Sequence, residues 1–165
     1  VVPTFTNVMS GFSTISPGVF QMSSPTNVYI AGVSNETLVG DGYIEMGVGT
    51  TGDLLFGLDS ENTLENFGVP NTLYSCFLLI SNSFGKFYTN YLGESANSIL
   101  VHSNLSGFIK CRLTRVGTTV KASASTDGVT FTDFYTFPNP ISGELWIKLS
   151  NVSSSARSKS LTLTQ

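Results

Sequence analysis

The sequence has little charge and few residues of the kinds that form catalytic or metal sites. Charged residues make up 12% of the 165 positions, and there are only one histidine, one tryptophan and two cysteines. An average soluble domain has about 25% charged residues. A single histidine excludes a multi-histidine metal site. The eight basic residues are scattered and the net charge is −3, so we expect no nucleic-acid binding.

Long apolar runs are also absent. The longest, at residues 76–80, has five residues, whereas a membrane-spanning helix needs about 20, so we predict no membrane insertion. The chain begins at Val1 without an initiator methionine or a signal-peptide pattern. We therefore expect residues 1–165 to form a single domain excised from a longer protein.

The two cysteines, Cys76 and Cys111, lie inside separate apolar runs. They are candidates for a disulfide between neighbouring strands. A domain of this length can fold without such a crosslink, so buried free thiols are the favoured alternative.

Serine and threonine supply the polar surface, at 42 of 165 residues. Apolar residues alternate with polar ones in short runs, and nowhere do they keep a helical spacing. This predicts an all-β, two-sheet antiparallel β-sandwich, a jelly roll of about 12 to 13 short strands, with at most one helical turn near residues 60–67. The predicted strands are residues 5–9, 19–22, 28–31, 43–48, 54–58, 73–80, 86–91, 99–102, 107–116, 119–125, 129–136, 145–149 and 158–163.

Residues 150–160 are predicted to form a mobile loop. Asp127-Gly128 predicts a hairpin with a two-residue primed turn.

The order of these elements resembles the concanavalin A-like lectin/glucanase superfamily. Residues 40–46, 54–58, 107–113 and the hairpin at 125–131 carry this resemblance, which covers nearly the whole chain. It is closest to the laminin-G-like and SPRY-like jelly rolls of viral fibre tips, bacterial adhesins and secreted carbohydrate-active proteins. The resemblance implies a recognition module that binds a carbohydrate or a receptor.

The chain departs from the catalytic members of that superfamily. Their glucanases carry paired carboxylates on one strand, and no strand here has that pattern. His102, at the end of a predicted strand, is expected to be a structural histidine rather than a catalytic one. We predict no enzyme activity, no cofactor and no metal, because Asp53, Asp59 and Asn62 imitate the calcium loop of legume-type lectins only loosely.

The candidate binding residues are polar and aromatic side chains that strand alternation places away from the core. In residues 144–149 the apolar set faces inward, which leaves Trp146 and Lys148 on the other face. There the indole is either a platform for sugar stacking or part of a second, smaller core covered by loops, and the second alternative is favoured. In residues 107–116 the alternation buries Ile109, Cys111 and Leu113. The complete candidate set is Trp146, Tyr88, Asn90, Lys110, Arg112 and Lys148. Lys121 and Ser123 join Lys110 and Arg112 if the hairpin pairs alongside.

These observations lead to a functional hypothesis and an alternative. The hypothesis is a non-catalytic module that binds a host-surface glycan or receptor at the tip of a viral fibre, a spike or a surface adhesin. Its expected location is the virion surface or the extracellular space, and its expected assembly is a homo-oligomer, with a trimer favoured. The alternative is a structural or oligomerisation domain without a small ligand.

Overall fold

The fold consists of short antiparallel strands. A computed structural model describes residues 1–24, 30–48, 52–64, 75–81, 86–91, 99–102, 107–138, 140–151 and 155–165, with the backbone alone for 75, 81, 86–91 and 99–102. These residues contain fifteen strands and no helix. The strands are β1 Phe5–Val8, β2 Phe12–Ser16, β3 Val19–Ser23, β4 Ala31–Val39, β5 Gly42–Gly47, β6 Asp53–Asp59, β7 Ser75–Ser81, β8 Lys86–Tyr91, β9 Ile99–His102, β10 Lys110–Val116, β11 Thr119–Ser125, β12 Thr132–Thr136, β13 Glu144–Asn151, β14 Ser155–Arg157 and β15 Thr162–Thr164.

The strands form three sheets. A seven-stranded sheet has the order β1-β4-β13-β6-β7-β8-β9, and a five-stranded sheet has the order β12-β11-β10-β5-β15. A small sheet, β14-β3-β2, completes the fold. The main hydrophobic core combines inward side chains of both large sheets, such as Leu145 and Ile147 of β13 and Ile44 and Leu113 of β5 and β10. We call the side of each large sheet that points away from this core its outer face.

Period-two alternation explains which side chains enter the core. In β10, Cys111 and Leu113 are fully buried, whereas Lys110 and Arg112, which alternate with them, are partly exposed. Ile109 precedes this strand and is 48% exposed. The prediction that Ile109 is buried is therefore wrong, because alternation applies only within the strand.

The predicted all-β antiparallel sandwich is confirmed, and β8, β9 and β11 have the predicted bounds. The sequence missed β2, β14 and most of β4. Strand β4 could not be predicted from alternation because the polar residues Ser34, Asn35 and Glu36 interrupt it, at the point where its register with β13 shifts. Residues 60–64 are not helical, and the rest of the predicted helical turn lies outside the described residues.

The hairpin around Asp127 is longer than predicted. Strand β11 ends at Ser125 and β12 begins at Thr132, so a six-residue connection replaces the two-residue turn. Asp127 Oδ1 accepts hydrogen bonds from the backbone N–H groups of Val129 and Thr130, and from Ser125 Oγ. These bonds hold the pKa of Asp127 below its ordinary value and fix the loop as an Asx turn.

Both cysteines are free and buried, so the favoured alternative is confirmed. Burial raises the pKa of Cys76, and the nearby charge of Asp59 raises it further. Burial likewise raises the pKa of Cys111. Neither thiol has the lowered pKa of a reactive cysteine. Within the described part of the chain, no helix is long and apolar enough to cross a membrane.

Candidate functional site

The predicted binding residues lie in two different sheets. Trp146 and Lys148 belong to β13 of the seven-stranded sheet, whereas Lys110 and Arg112 belong to β10 of the five-stranded sheet. Each pair is on the outer face of its own sheet, because the residues that alternate with them are buried in the shared core. The two pairs therefore cannot line one site.

Lys148 is on the predicted side of its strand, but the expectation that it is exposed is wrong. Its Nζ lies 2.8 Å from Asp59 Oδ2 of neighbouring β6, and the two side chains are 1% and 2% exposed. The other oxygen of this carboxylate, Oδ1, accepts the backbone N–H of Glu61 at 2.9 Å. Both charges are thus compensated inside the protein, and Lys148 is not available to a ligand.

The surroundings of this ion pair are filled by apolar side chains. Lys148 pairs with Gly57 on β6, which pairs with Phe77 on β7. A Cβ on Gly57 would overlap the Phe77 ring, so that ring packs against the glycine. Ala31, Leu55 and Phe77 form a second buried cluster, and Met9 and Leu64 pack on it. We call this outer surface of β4, β13, β6 and β7 the closed face.

A strap composed of residues 60–64 contributes to the closed face. It follows β6 directly and carries Leu64, which packs on the apolar cluster. The Asn7 side-chain amide donates a hydrogen bond of 2.8 Å to the carbonyl of Asn62. This bond joins the strap to β1, which is three strands away from β6 in the sheet.

The remaining candidates of the seven-stranded sheet are Trp146, Tyr88 and Asn90. Trp146 is partly buried and pairs with Thr37 on β4 and Asp59 on β6. Tyr88 and Asn90 lie on β8, where the register pairs them with Leu79 and Phe77. Strands β6 and β7 separate β8 from β13. Their role in binding stays a prediction.

The outer face of the five-stranded sheet is different, and we call it the open face. Arg112 lies at its centre, with Nη2 2.6 Å and Nε 3.1 Å from Glu45 Oε2 on neighbouring β5. Lys110 Nζ lies 2.6 Å from the other oxygen, Glu45 Oε1. The Glu45 carboxylate therefore forms ion pairs with both Lys110 and Arg112.

Two aromatic rings enclose the Arg112 guanidinium. Its Cζ lies 3.8 Å from the ring centroid of Tyr43 on β5 and 3.6 Å from that of Phe131, just before β12. Such cation–π contacts favour Arg over Lys because the guanidinium is planar. The stack fixes Arg112 in place and leaves it 21% exposed.

The charges around Glu45 affect its protonation. Burial raises the pKa of Glu45, but hydrogen bonds and charge from Lys110 and Arg112 outweigh this effect, so the pKa lies below its ordinary value. Glu45 is therefore ionised at neutral pH and serves as the fixed anion of the cluster.

A shallow pocket of about 440 Å³ adjoins the stack. It is lined by Thr114, Val116, Thr119, Lys121 and Asp133. Lys121 Nζ and Asp133 Oδ2 form an ion pair at 2.9 Å, and the two side chains are 47% and 53% exposed. The expected pairing of the hairpin is confirmed, since Thr114 pairs with Lys121 and Arg112 with Ser123. The pocket offers hydroxyls, one exposed ion pair and one apolar side chain, which are groups that bind polar ligands reversibly.

The sequence did not identify Glu45, Phe131 or Asp133 as part of this cluster. Alternation placed Glu45 outside the core, yet its partners depend on the β5–β10 register. Phe131 and Asp133 reach the face only because β12 returns beside β11. In the part of the chain that the structure describes, no group of three or more His, Cys, Asp or Glu side chains could hold a metal ion.

No family model and no curated protein matches this sequence. Solved structures do. Stonustoxin is similar with a TM-score of 0.70 and 15% identity over 98% of this chain, which spans 28% of the toxin chain. The PSpry domain of TRIM65 is similar with a TM-score of 0.69 and 12% identity, covering 100% of this chain and 93% of that domain.

The exoplasmic/lumenal domain of VIP36, in its Ca²⁺/Man3GlcNAc-bound form, has a TM-score of 0.64 and 5% identity over 99% of this chain and 84% of its own. A sialidase is also similar, with a TM-score of 0.57 and 8% identity over 89% of this chain, but this chain spans only 15% of it. These likenesses show the fold. The chain has a concanavalin A-like jelly-roll fold, as the resemblance in its sequence implied.

Proposed function

We propose that this chain is a non-catalytic recognition module that binds a carbohydrate through the open face of its five-stranded sheet. The observation that carries the proposal is the pocket beside the Tyr43–Arg112–Phe131 stack, which combines an exposed ion pair with hydroxyl groups. Sugar hydroxyls are both donors and acceptors, so Lys121, Asp133 and the threonines can replace the water that hydrates them.

The contrast between the two outer faces supports the choice of site. The closed face fills its middle strands with Phe77, Leu55 and the Lys148–Asp59 pair, so the charged groups of this pair are not available to a ligand there. The similarity to the glycan-bound domain of VIP36 agrees with a carbohydrate ligand at the level of fold. The partial match to a sialidase is not a reason to propose catalysis, because Asp133 is the one carboxylate among the described residues that line the pocket, and Glu45 on the same face is bound by Lys110 and Arg112.

The proposal extends to biological context. The glycan would belong to a host-cell surface, and the module would be displayed on a virion or in the extracellular space, at the tip of a fibre, a spike or an adhesin. A serine- and threonine-rich surface of low charge supports that setting. Assembly as a homotrimer is part of the same proposal, and light scattering tests it through a mass three times that of the chain.

A glycan array tests the central proposal with two matched variants. Thr119 is exposed at the rim of the pocket, so T119W fills the pocket without disturbing the core. Ser13 is exposed on β2 of the small sheet, so S13W adds the same bulk elsewhere. We expect wild type and S13W to bind the same glycans and T119W to bind none.

Equal binding by T119W would place the glycan elsewhere on the chain and overturn the assigned site. Absence of binding by all three proteins, at millimolar concentrations of sugar, would overturn the proposed function. In that case a trimer in solution would favour the structural or oligomerisation domain.

A further inference from the structure

We propose that the pocket on the open face selects neutral sugars that carry two adjacent hydroxyls and rejects acidic sugars. This inference rests on the proposed function, since it names the ligand class of the same site.

Among the described residues that line the pocket there are one cation and one anion, and they are paired with each other. Lys121 on β11 and Asp133 on β12 lie 2.9 Å apart, and about half of each side chain is exposed. Thr114, Val116 and Thr119 complete the lining. The pocket therefore has no net charge, although its polar atoms remain accessible.

Two further cations of the open face, Arg112 and Lys110, already have an anionic partner there, and Lys159 packs over Gly47, which pairs with Lys110 at the other end of β10 from Val116. Glu45 holds Nε and Nη2 of Arg112, and the rings of Tyr43 and Phe131 cover both sides of its plane. The Nε/Nη2 edge, one of the two edges through which Arg forms a two-bond contact with a carboxylate, is therefore already occupied. Lys110 is bound to the same Glu45 and precedes Thr114 by four residues, which is about 13 Å along a strand.

An exposed ion pair of this kind matches a vicinal diol. The Asp133 carboxylate accepts hydrogen bonds from hydroxyls, whereas the Lys121 ammonium only donates them. A pair of adjacent hydroxyls can engage both groups at once, and the methyl groups of Val116 can contact the C–H side of the ring. The carboxylate of a uronic acid would instead meet Asp133, and juxtaposed like charges oppose binding.

The test uses pairs of sugars that differ only in the oxidation state of one carbon. The methyl glycosides of glucose, galactose and mannose are titrated into the 15N-labelled protein, together with the corresponding uronic acids, and the amide shifts of residues 114–121 are followed by NMR. We expect the neutral sugar of at least one pair to bind about tenfold more tightly than its uronic acid.

A charge variant should reverse this preference. D133N removes the anion and leaves Lys121 without its carboxylate, so the uronic acid should then bind more tightly than the neutral sugar. E61Q removes one negative charge from the strap, which packs on the opposite outer face, and should keep the wild-type preference. Addition of 0.3 M NaCl should weaken uronic-acid binding to D133N but not neutral-sugar binding to wild type.

The outcomes separate this inference from the proposed function. If uronic acids bind wild type as tightly as neutral sugars and T119W abolishes both, the function stands and the neutral selectivity is overturned. If D133N keeps the wild-type preference, the Lys121–Asp133 pair does not set the selectivity and the inference also fails. If no sugar of either class shifts any amide, the proposed function itself falls.

Discussion

Two lysine–aspartate pairs of nearly equal length occupy opposite outer faces of this sandwich. Lys148–Asp59 on the closed face is 2.8 Å long with side chains 1% and 2% exposed, and Lys121–Asp133 on the open face is 2.9 Å long with side chains 47% and 53% exposed. Both join neighbouring antiparallel strands. The same lysine–aspartate pair therefore has a structural role on one face and a proposed binding role on the other. Its role depends on whether other side chains cover it.

The closed face shows what a covering layer does to an ion pair. Strap residue Leu64, Met9 of the connection after β1 and the ring of Phe77 belong to the cluster on this face. Charges removed from water must be compensated internally, and here Lys148, Asp59 and the N–H of Glu61 provide that compensation. On the open face, water is available to both charges. That pair contributes little to stability and remains accessible to a ligand.

The largest effect is expected from breaking the buried pair. D59A leaves the Lys148 ammonium uncompensated in the interior, which should lower the free energy of unfolding by about 3–5 kcal/mol. Urea denaturation at pH 7 measures this change. The double variant D59L/K148M, which removes both charges, should recover most of the loss. A D59A protein as stable as wild type would show that water reaches Lys148.

The next effect concerns the packing of Phe77 on Gly57. The Cβ of G57A would overlap the Phe77 ring and lie 2.5 Å from the carbonyl oxygen of Cys76, which is backbone and cannot turn away. Overpacking of this kind should cost about 1–3 kcal/mol in the same denaturation experiment. Gly57 does not have a positive φ, so the cost of G57A arises from overpacking and not from backbone strain.

An acid-dependent effect is expected on the open face, through Glu45. Its pKa is lowered in the folded protein by Lys110 and Arg112. A depressed carboxyl pKa contributes stability that is present above the unfolded pKa of about 4.3 and is lost as the pH falls through the folded pKa. Unfolding free energies measured between pH 7 and pH 2.5 should therefore fall more steeply for wild type than for E45Q. If the unfolding free energy of both proteins falls equally with pH, Lys110 and Arg112 do not lower the pKa of Glu45 in the folded protein.

The smallest stability effect is expected for the exposed pair. K121M should change the free energy of unfolding by less than about 1 kcal/mol, while abolishing the sugar binding proposed for the open face. If K121M lowered the free energy of unfolding as much as D59A does, the two ion pairs would not differ in their contribution to stability. Denaturation and the NMR titration, performed on the same preparation, separate the two readouts.

Much of the fold could be predicted from the sequence because strand alternation is a local property. The bounds of β8, β9 and β11 and the inward position of Ile44 and Leu113 all follow from it. The strands that were missed lack this signal. Strand β14 has only three residues, and β4 is interrupted by polar residues whose partners, such as Thr4 for Asn35, are distant in sequence.

The candidate site was predicted in part. The sequence identified Lys110, Arg112 and the adjacent Lys121, which the structure places together on the open face. It grouped them with Lys148 and Trp146, which belong to another sheet. Sheet membership depends on which strands pair, and that is decided by the whole chain.

By itself the sequence determined that this protein is an antiparallel β-sandwich and, within strands such as β5, β10 and β13, on which side of the strand a residue lies. A period of two is set by backbone geometry and needs no information from elsewhere in the chain. Only the tertiary structure decided which outer face is covered and which is open. Burial depends on segments brought together from distant positions, such as Leu64 of the strap and Met9, which both pack on the cluster of Ala31, Leu55 and Phe77. Lys148 and Lys121 therefore differ in role, although both were predicted to lie outside the core.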